Sequence, residues 1–293
     1  PSPPLSPPHG GMTTTHQDSD HAVGAELRAE RELKQHNARH RITERRRVIQ
    51  KLRQALATNR LALHFQPIIA LASGRACAAE VQLRLDHSRR GLIPAGHLLP
   101  LAEQSDMIID LGAWMLRQAC MQAAQMPRDF TLSLALCLRH LRSGQLVKHV
   151  LEALQHAQAE PCQLELLITE EMLLDANEDT VFALRALQGL GLRLALDRFG
   201  TGYASLAPLR TLNFSTLRLD RSLLRDIEAD GAAGIVQAAV EAGHALGCQV
   251  LADGVDSQSQ YDLLRRLRAD LAQGSFFSAA LDGAALGSLL ARR

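Results

Sequence analysis

Charged and amide side chains recur on short apolar runs of this chain, and that placement is what the chemistry of a charged ligand needs. The runs Ala78–Leu85, Phe130–Cys137, Leu164–Glu170, Arg193–Asp197, Thr216–Asp220 and Gln249–Asp253 read as strands. In a parallel sheet or barrel, the carboxyl ends of the strands converge on the site. Glu80, Gln82, Arg84, Asp197, Arg218 and Asp253 are therefore expected to be neighbours. Carboxylates beside guanidinium groups suit a phosphate-bearing ligand better than an apolar one, because a guanidinium binds phosphate through paired donors.

Helical pattern separates most of these strands. Helices are expected over Pro94–Gln104, Met107–Met126, Leu138–Gln158, Asp179–Gly189, Ser205–Leu212, Ala229–Leu246, Gln258–Arg268 and Gly283–Ala291. Ahead of them LALHFQPII reads as a strand, and Gly74–Leu85 as a second strand after a short turn. Strands joined so closely pair antiparallel, since a parallel pair needs a longer crossover. The expected fold is α/β: a modified TIM-type (β/α)8 barrel with an antiparallel first strand, about the usual size for that fold. An open doubly wound sheet is the alternative, but no GxGxxG follows the first strand.

Alternation along the strands assigns their faces. Leu132, Leu134 and Leu136 oppose Thr131, Ser133, Ala135 and Cys137; Leu217 and Leu219 oppose Thr216, Arg218 and Asp220. Glu80, Gln82 and Arg84 share one face, as do Ala195 and Asp197. Leu and Val faces are expected to pack on outer helices, and the small and polar faces to line the barrel mouth. Asp220 is expected to make a loop hydrogen bond, as turn aspartates commonly do.

The chain has 293 residues, 46% of them apolar but only 3% aromatic, so its core is built mostly of Leu, Ala and Val. A formal net charge of +1 gives no polyanion-binding surface, and no nucleic acid is expected as partner. Five scattered cysteines without CxxC spacing read as reduced thiols, which with the absence of an apolar signal segment points to a cytoplasmic chain. No apolar stretch is long enough to span a bilayer, so no membrane association is expected.

Three regions are expected. Residues 1–20 form a Pro/Ser-rich tail with nothing to bury, and therefore disordered. Residues 21–59 form a charged linker helix, and residues 60–293 the barrel. Between Lys34 and Arg53 lie eight basic residues and one acidic residue, Glu44, without interleaved aromatics. That run reads as a solvated helix rather than a nucleic-acid or membrane contact. His36 and His40 stand four residues apart without further ligands nearby, and read as surface residues.

Several stretches together carry a resemblance: QPI at Gln66–Ile68, GLIPAGHLLPLAEQSDMI at Gly91–Ile108, LGAWMLRQAC at Leu111–Cys120, DRFGTGYASL at Asp197–Leu206, RLDRSLL at Arg218–Leu224 and AQGSFFS at Ala272–Ser278. Over about Arg45–Leu290 the chain resembles the EAL domain, the fold of bacterial cyclic-di-GMP phosphodiesterases. The resemblance implies a barrel whose first strand runs antiparallel. It also implies an enzyme that uses Mg²⁺ or Mn²⁺ to activate a water against a phosphodiester.

Position by position, the resemblance then departs from that enzyme. The signature glutamate is Glu80, but the signature reads Glu80-Val81-Gln82. The metal-binding asparagine aligns with Ala135 and a metal-binding glutamate with Leu167. The paired aspartates become Asp197 and Arg198. The catalytic lysine is Arg218, a further glutamate is shortened to Asp253, and Asp256 ends that motif. Glu170 remains, and in the family supports the loop that here is Phe199–Ser205. Gln66, Arg84 and Gln273 match ligand-contacting positions, whereas Ala280 stands where the family has proline. Hard cations need several oxygen ligands. A fixed guanidinium about 4 Å from a cation repels it by about 4 kcal/mol per unit charge at an effective dielectric of about 20.

These departures imply a domain without metal cofactor and without phosphodiesterase activity. It would bind cyclic-di-GMP through Gln66, Glu80, Arg84, Asp197, Arg198, Arg218, Asp253 and Gln273, act on a protein partner, or both. The alternatives are a pure protein-binding regulator and a weak phosphodiesterase. A homodimer is the expectation from the Phe199–Ser205 region, which commonly contributes to dimers in the family.

Overall fold

The structure is a computed structural model that describes residues 43–291 apart from 88, 90, 104, 175, 202–211, 226 and 228–230. The expected tail over residues 1–20, the first part of the charged segment and the helix expected at Ser205–Leu212 lie outside the described residues, as does most of the Phe199–Ser205 loop. The chain divides into two units, Pro1–Gln50 and Lys51–Arg293. Residues 43–57 are helical (α1). None of the five cysteines is in a disulfide, and no described helix is long and apolar enough to cross a membrane.

The strands of the second unit are β1 (Leu61–Ala70), β2 (Arg75–His87), β3 (Gly91–Pro94), β4 (Thr131–Ala135), β5 (Leu164–Thr169), β6 (Arg193–Phe199), β7 (Thr216–Leu219), β8 (Gln249–Asp253) and β9 (Leu271–Gln273). Its helices are α2 (Leu99–Ala102), α3 (Met107–Ala123), α4 (Leu138–Arg142), α5 (Leu146–Ala157), α6 (Glu170–Leu174), α7 (Glu178–Gly189), α8 (Ser222–Arg225), α9 (Ala232–Ala245), α10 (Gln258–Arg266) and α11 (Gly283–Ala291).

Hydrogen bonding runs in the order β1-β9-β8-β7-β6-β5-β4-β2, and pairing of β1 with β2 closes the ring. The eight strands form a barrel, with β3 attached outside it on β2. β1 is antiparallel to both its neighbours, as the short β1–β2 turn requires; the other barrel pairs are parallel.

Alternation places side chains largely as the sequence pattern implies. On β2 the buried Val81, Leu83 and Leu85 alternate with the half-buried Glu80, Gln82 and Arg84. The barrel interior is less uniformly polar than its small and polar faces suggest. Ile68, Ala78, Leu251 and Leu271 form a buried cluster, because a closed barrel is a packed core and not a pore. A buried carboxylate, Glu165, stands on β5. It accepts hydrogen bonds from the hydroxyls of Ser133 (2.7 Å), Thr216 (2.7 Å) and Ser215 (3.0 Å).

Two helices differ from the periodicity reading. The expected helix Leu138–Gln158 is divided into α4 and α5, because Gly144 takes a left-handed conformation at φ +72° that ends the first turn. In place of one helix over Pro94–Gln104 there is β3, a 3₁₀ turn at Gly96–Leu98 and the single turn of α2. The prolines at 94 and 100 limit helix to that short piece, since proline is tolerated only in a helix's first turn. The short α6, α8 and β9 carry too few residues for a period to be legible. Asp220 behaves as its type predicts, its carboxylate accepting from the Ser222 N–H at 2.9 Å.

Candidate functional site

The middle of β2 and the carboxyl ends of β6, β7, β8 and β9 bring Glu80, Asp197, Arg218, Asp253 and Gln273 together, and antiparallel β1 adds Gln66 opposite Glu80. At the centre is Arg218, whose side chain is only 3% exposed. Its Nη2 donates to the Glu80 carboxylate and, at 3.3 Å, to the amide oxygen of Gln273. Its Nε lies 3.2 Å from Asp197 Oδ1, an ion pair too poorly aligned to be a hydrogen bond. Gln273 closes the arrangement by donating from Nε2 to Glu80 at 3.0 Å.

This geometry sets the protonation of the group. Burial alone would raise the Glu80 pKa, but the charge and hydrogen bond of Arg218 hold it below the usual value. Burial likewise disfavours charge on Arg218, and Glu80 and Asp197 reverse that and push its pKa further up. For Asp197 and Asp253 burial wins: both carboxyls are raised, with Arg218 offsetting only part of the effect and Glu80 adding repulsion. Asp253 is also 3.8 Å from the Arg221 guanidinium.

Local backbone fixes these side chains. The carbonyl of Gln273 accepts from the N–H groups of both Gly254 and Val255 at 2.9 Å, which ties the end of β8 to the end of β9. Gly274 must lack a side chain here, because a Cβ would run into the Val255 carbonyl. Gln260 on α10 bridges the same region, accepting from the Asp256 N–H at 2.8 Å and donating to the Leu224 carbonyl at 3.0 Å. Around these residues lies a cleft of about 440 Å³ lined by Gln66, Glu80, Gln82, Arg221, Asp253 and Gln273, among others.

Arg198 is set apart from this group. Its backbone is left-handed at φ +57° and its side chain is 68% exposed, with Nε 3.9 Å from Asp197 Oδ2. It lines a second cavity, of about 390 Å³, together with Ala135, Cys137 and Thr169. Arg84 is half-buried on β2, and its Nη2 donates to Gln82 Oε1 at 3.0 Å. Glu170 accepts from the Gly200 N–H at 3.5 Å, while its other oxygen is buried with no hydrogen-bond partner among the described residues.

Sequence reasoning did not single out Arg221, Arg225, Gln260 and Ser275, all of which line the cleft. Arg221 lies just beyond the end of β7, which is a usable signal, whereas Arg225 ends the helix α8 and carries none. Gln260 sits on a helix and carried none.

The residues present do not fit a two-cation centre of the kind the resemblance implies. Ala135 and Leu167 face each other across β4 and β5 without oxygen to offer. Glu80 and Asp197 are already engaged by a guanidinium. Among the described residues no group of three or more His, Cys, Asp or Glu side chains is placed to hold a metal ion.

Comparison with known proteins bears on the whole barrel. The EAL domain profile matches residues 49–280. The chain is 38% identical over 255 residues to the cyclic di-GMP phosphodiesterase NbdA of Pseudomonas aeruginosa, covering 85% of this chain and 33% of that protein. It is 37% identical over 225 residues to an uncharacterized signaling protein of Caulobacter vibrioides, covering 76% of this chain and 28% of that one. The chain thus spans about a third or less of these relatives. Among solved structures it resembles the PaMucR phosphodiesterase in complex with c-di-GMP, with a TM-score of 0.77 and 32% identity over 82% of this chain and 99% of that one. The FimX EAL domain from Pseudomonas aeruginosa bound to c-di-GMP shares the fold, with a TM-score of 0.74 at 23% identity over 80% of this chain and 96% of that one. Barrel order, the antiparallel first strand and the extent of these matches agree: the chain belongs to the EAL domain family.

Proposed function

We propose that this EAL domain acts in cyclic-di-GMP signalling as a metal-independent receptor that binds the dinucleotide without hydrolysing it. The observation that carries this reading is the position of Arg218, buried between Glu80 and Asp197 and paired with both. A dication bound by those carboxylates would meet a guanidinium that proteins do not deprotonate. A fixed guanidinium supplies positive charge but generates no metal-bound hydroxide, which is the nucleophile that cations contribute to such reactions. Relatives named as cyclic di-GMP phosphodiesterases and a similar structure in complex with c-di-GMP support the dinucleotide as ligand.

In this reading the cleft supplies amide groups from Gln66 and Gln273 and a cation from Arg221, and Arg84, held by Gln82 on the same face of β2, adds a second cation beside the cleft for the phosphodiesters. Asp253 and Glu80 remain as acceptors for base or sugar donors. Asp197 takes part through its ion pair with Arg218, and Arg198 lies outside the cleft, on the second cavity. The test is turnover: purified protein with cyclic-di-GMP and Mg²⁺ or Mn²⁺ should form no linear dinucleotide. Steady product formation that follows the protein through an additional purification step would overturn the noncatalytic reading.

A second reading, a protein-interaction regulator that binds no nucleotide, is favoured by large apolar side chains left in solvent. Phe182 on α7 is 75% exposed and Leu174 at the end of α6 is 61% exposed. Failure of cyclic-di-GMP to bind at millimolar concentration would move the account to that reading.

A further inference from the structure

The cleft face of β2 carries Gln82 between Glu80 and Arg84. Its amide joins a chain of hydrogen bonds. Arg84 Nη2 donates to Gln82 Oε1 at 3.0 Å, Gln82 Nε2 donates to Gln66 Oε1 at 2.7 Å, and Gln66 Nε2 donates to the Ser278 carbonyl at 3.4 Å. The direction of this chain is fixed at both ends. Arginine has only donors and a peptide carbonyl only acceptors. Neither amide can turn over without breaking a bond, so the usual ambiguity between amide oxygen and nitrogen does not arise here.

The placement is equally constrained. β1 and β2 are antiparallel, with Gln66 opposite Glu80 and His64 opposite Gln82, so the two glutamines are diagonal neighbours across the hairpin. Diagonal pairs lie within reach of long side chains. Both glutamines line the cleft. Arg84 would otherwise be a flexible side chain at the edge of the site. Burial already lowers its pKa somewhat, which marks a guanidinium partly withdrawn from water.

We infer that Gln82 is a positioning residue for ligand binding: it holds the Arg84 guanidinium and the Gln66 amide in single orientations, so that the cleft meets the phosphodiester of a cyclic dinucleotide preorganised. This rests on the proposal that the cleft binds cyclic-di-GMP. Its chemical basis is that donors fixed before binding lose less freedom when the ligand arrives. Methionine at this position keeps the length of the side chain and removes both hydrogen bonds.

A double-mutant cycle on cyclic-di-GMP affinity separates positioning from simple packing. Gln82→Met should weaken binding about fivefold to tenfold, as loss of a positioning hydrogen bond does. In an Arg84→Ala background the same change should cost clearly less, about twofold to threefold, because only the bond to Gln66 is then left to lose. Equal effects in both backgrounds would overturn the inference. A second measurement needs no nucleotide: in the ligand-free protein, Gln82→Met should speed rotation of the Arg84 guanidinium seen by ¹⁵N NMR. Unchanged Arg84 signals would also overturn it. If wild-type protein binds no cyclic-di-GMP, the proposed function fails, and the guanidinium measurement alone decides whether Gln82 positions Arg84.

Discussion

Arg218 and Asp197 stand on the neighbouring strands β7 and β6 with Nε and Oδ1 3.2 Å apart, at a position where the guanidinium side chain is 3% exposed and the carboxylate 19%. A pair so withdrawn from water is held by its partners and not by solvent. Removing one side leaves the other charged and uncompensated. Arg218→Ala should therefore destabilise the domain by about 3–5 kcal/mol at neutral pH. Urea denaturation should show the deficit shrinking in acid, where Glu80 and Asp197 take up protons. A stability unchanged at pH 7 would mean that the pairing is not built as described.

Glu80 and Asp253 should respond to pH with opposite signs. Burial raises the Glu80 pKa, but Arg218 more than reverses this, so its folded-state pKa lies below the unfolded value. Its contribution to stability is present above the unfolded pKa and is lost as pH falls through the folded one. Asp253 is raised, chiefly by burial. The stability linked to its proton is present below the unfolded pKa of about 3.9 and is lost as pH rises through the folded value. Glu80→Gln should lower the melting temperature at pH 7, and Asp253→Asn should raise it. Both differences should fade in strong acid, and matching signs at pH 7 would contradict the electrostatic account.

The barrel interior supplies a prediction independent of the cleft. Among the described residues, Glu165 accepts hydrogen bonds from the hydroxyls of Ser133, Ser215 and Thr216. Thr216→Val removes one donor while nearly preserving shape. A loss of about 1–3 kcal/mol is expected, the usual cost of leaving a buried acceptor short of a partner. Chemical denaturation of the variant measures it directly, and a neutral result would show that water or a rearranged neighbour fills the place.

The extension is tested by deletion. Residues 1–20 carry Leu5 and Met12 but otherwise Pro, Gly and polar residues, too little apolar surface to offset the entropy of ordering them. Removing them should leave the melting temperature within a degree or so of the intact chain, within the usual range for changes away from packed structure. A fall of many degrees would show that the tail docks on the domain.

Much of this molecule is legible in its sequence, and the parts that are not have physical reasons. Period-two alternation on β2 set Glu80, Gln82 and Arg84 on one face, and the structure keeps them there. The short β1–β2 turn implies a hairpin, and the register of the two strands is antiparallel. Strand-end logic gathered Asp197, Arg218 and Asp253 correctly with Glu80. It does not tell which of the cations is buried, since burial depends on strand length and twist: Arg218 lies beneath the carboxylates, while Arg198, adjacent in sequence to Asp197, is turned to solvent. Glu165 was hidden because it falls at the start of its strand, where the polar residue carries no end-of-strand signal. The break at Gly144 was a readable helix stop inside an otherwise continuous apolar pattern.

The most direct measurement is calorimetric titration of the purified chain with cyclic-di-GMP, run once with excess chelator and once with Mg²⁺. The account predicts saturable one-site binding with the same affinity in both, the dinucleotide recovered intact afterwards, and a loss of about tenfold or more for Arg84→Ala, as removal of a charge-assisted hydrogen bond costs. Binding that appears only with Mg²⁺, or dinucleotide recovered as its linear product, would contradict it.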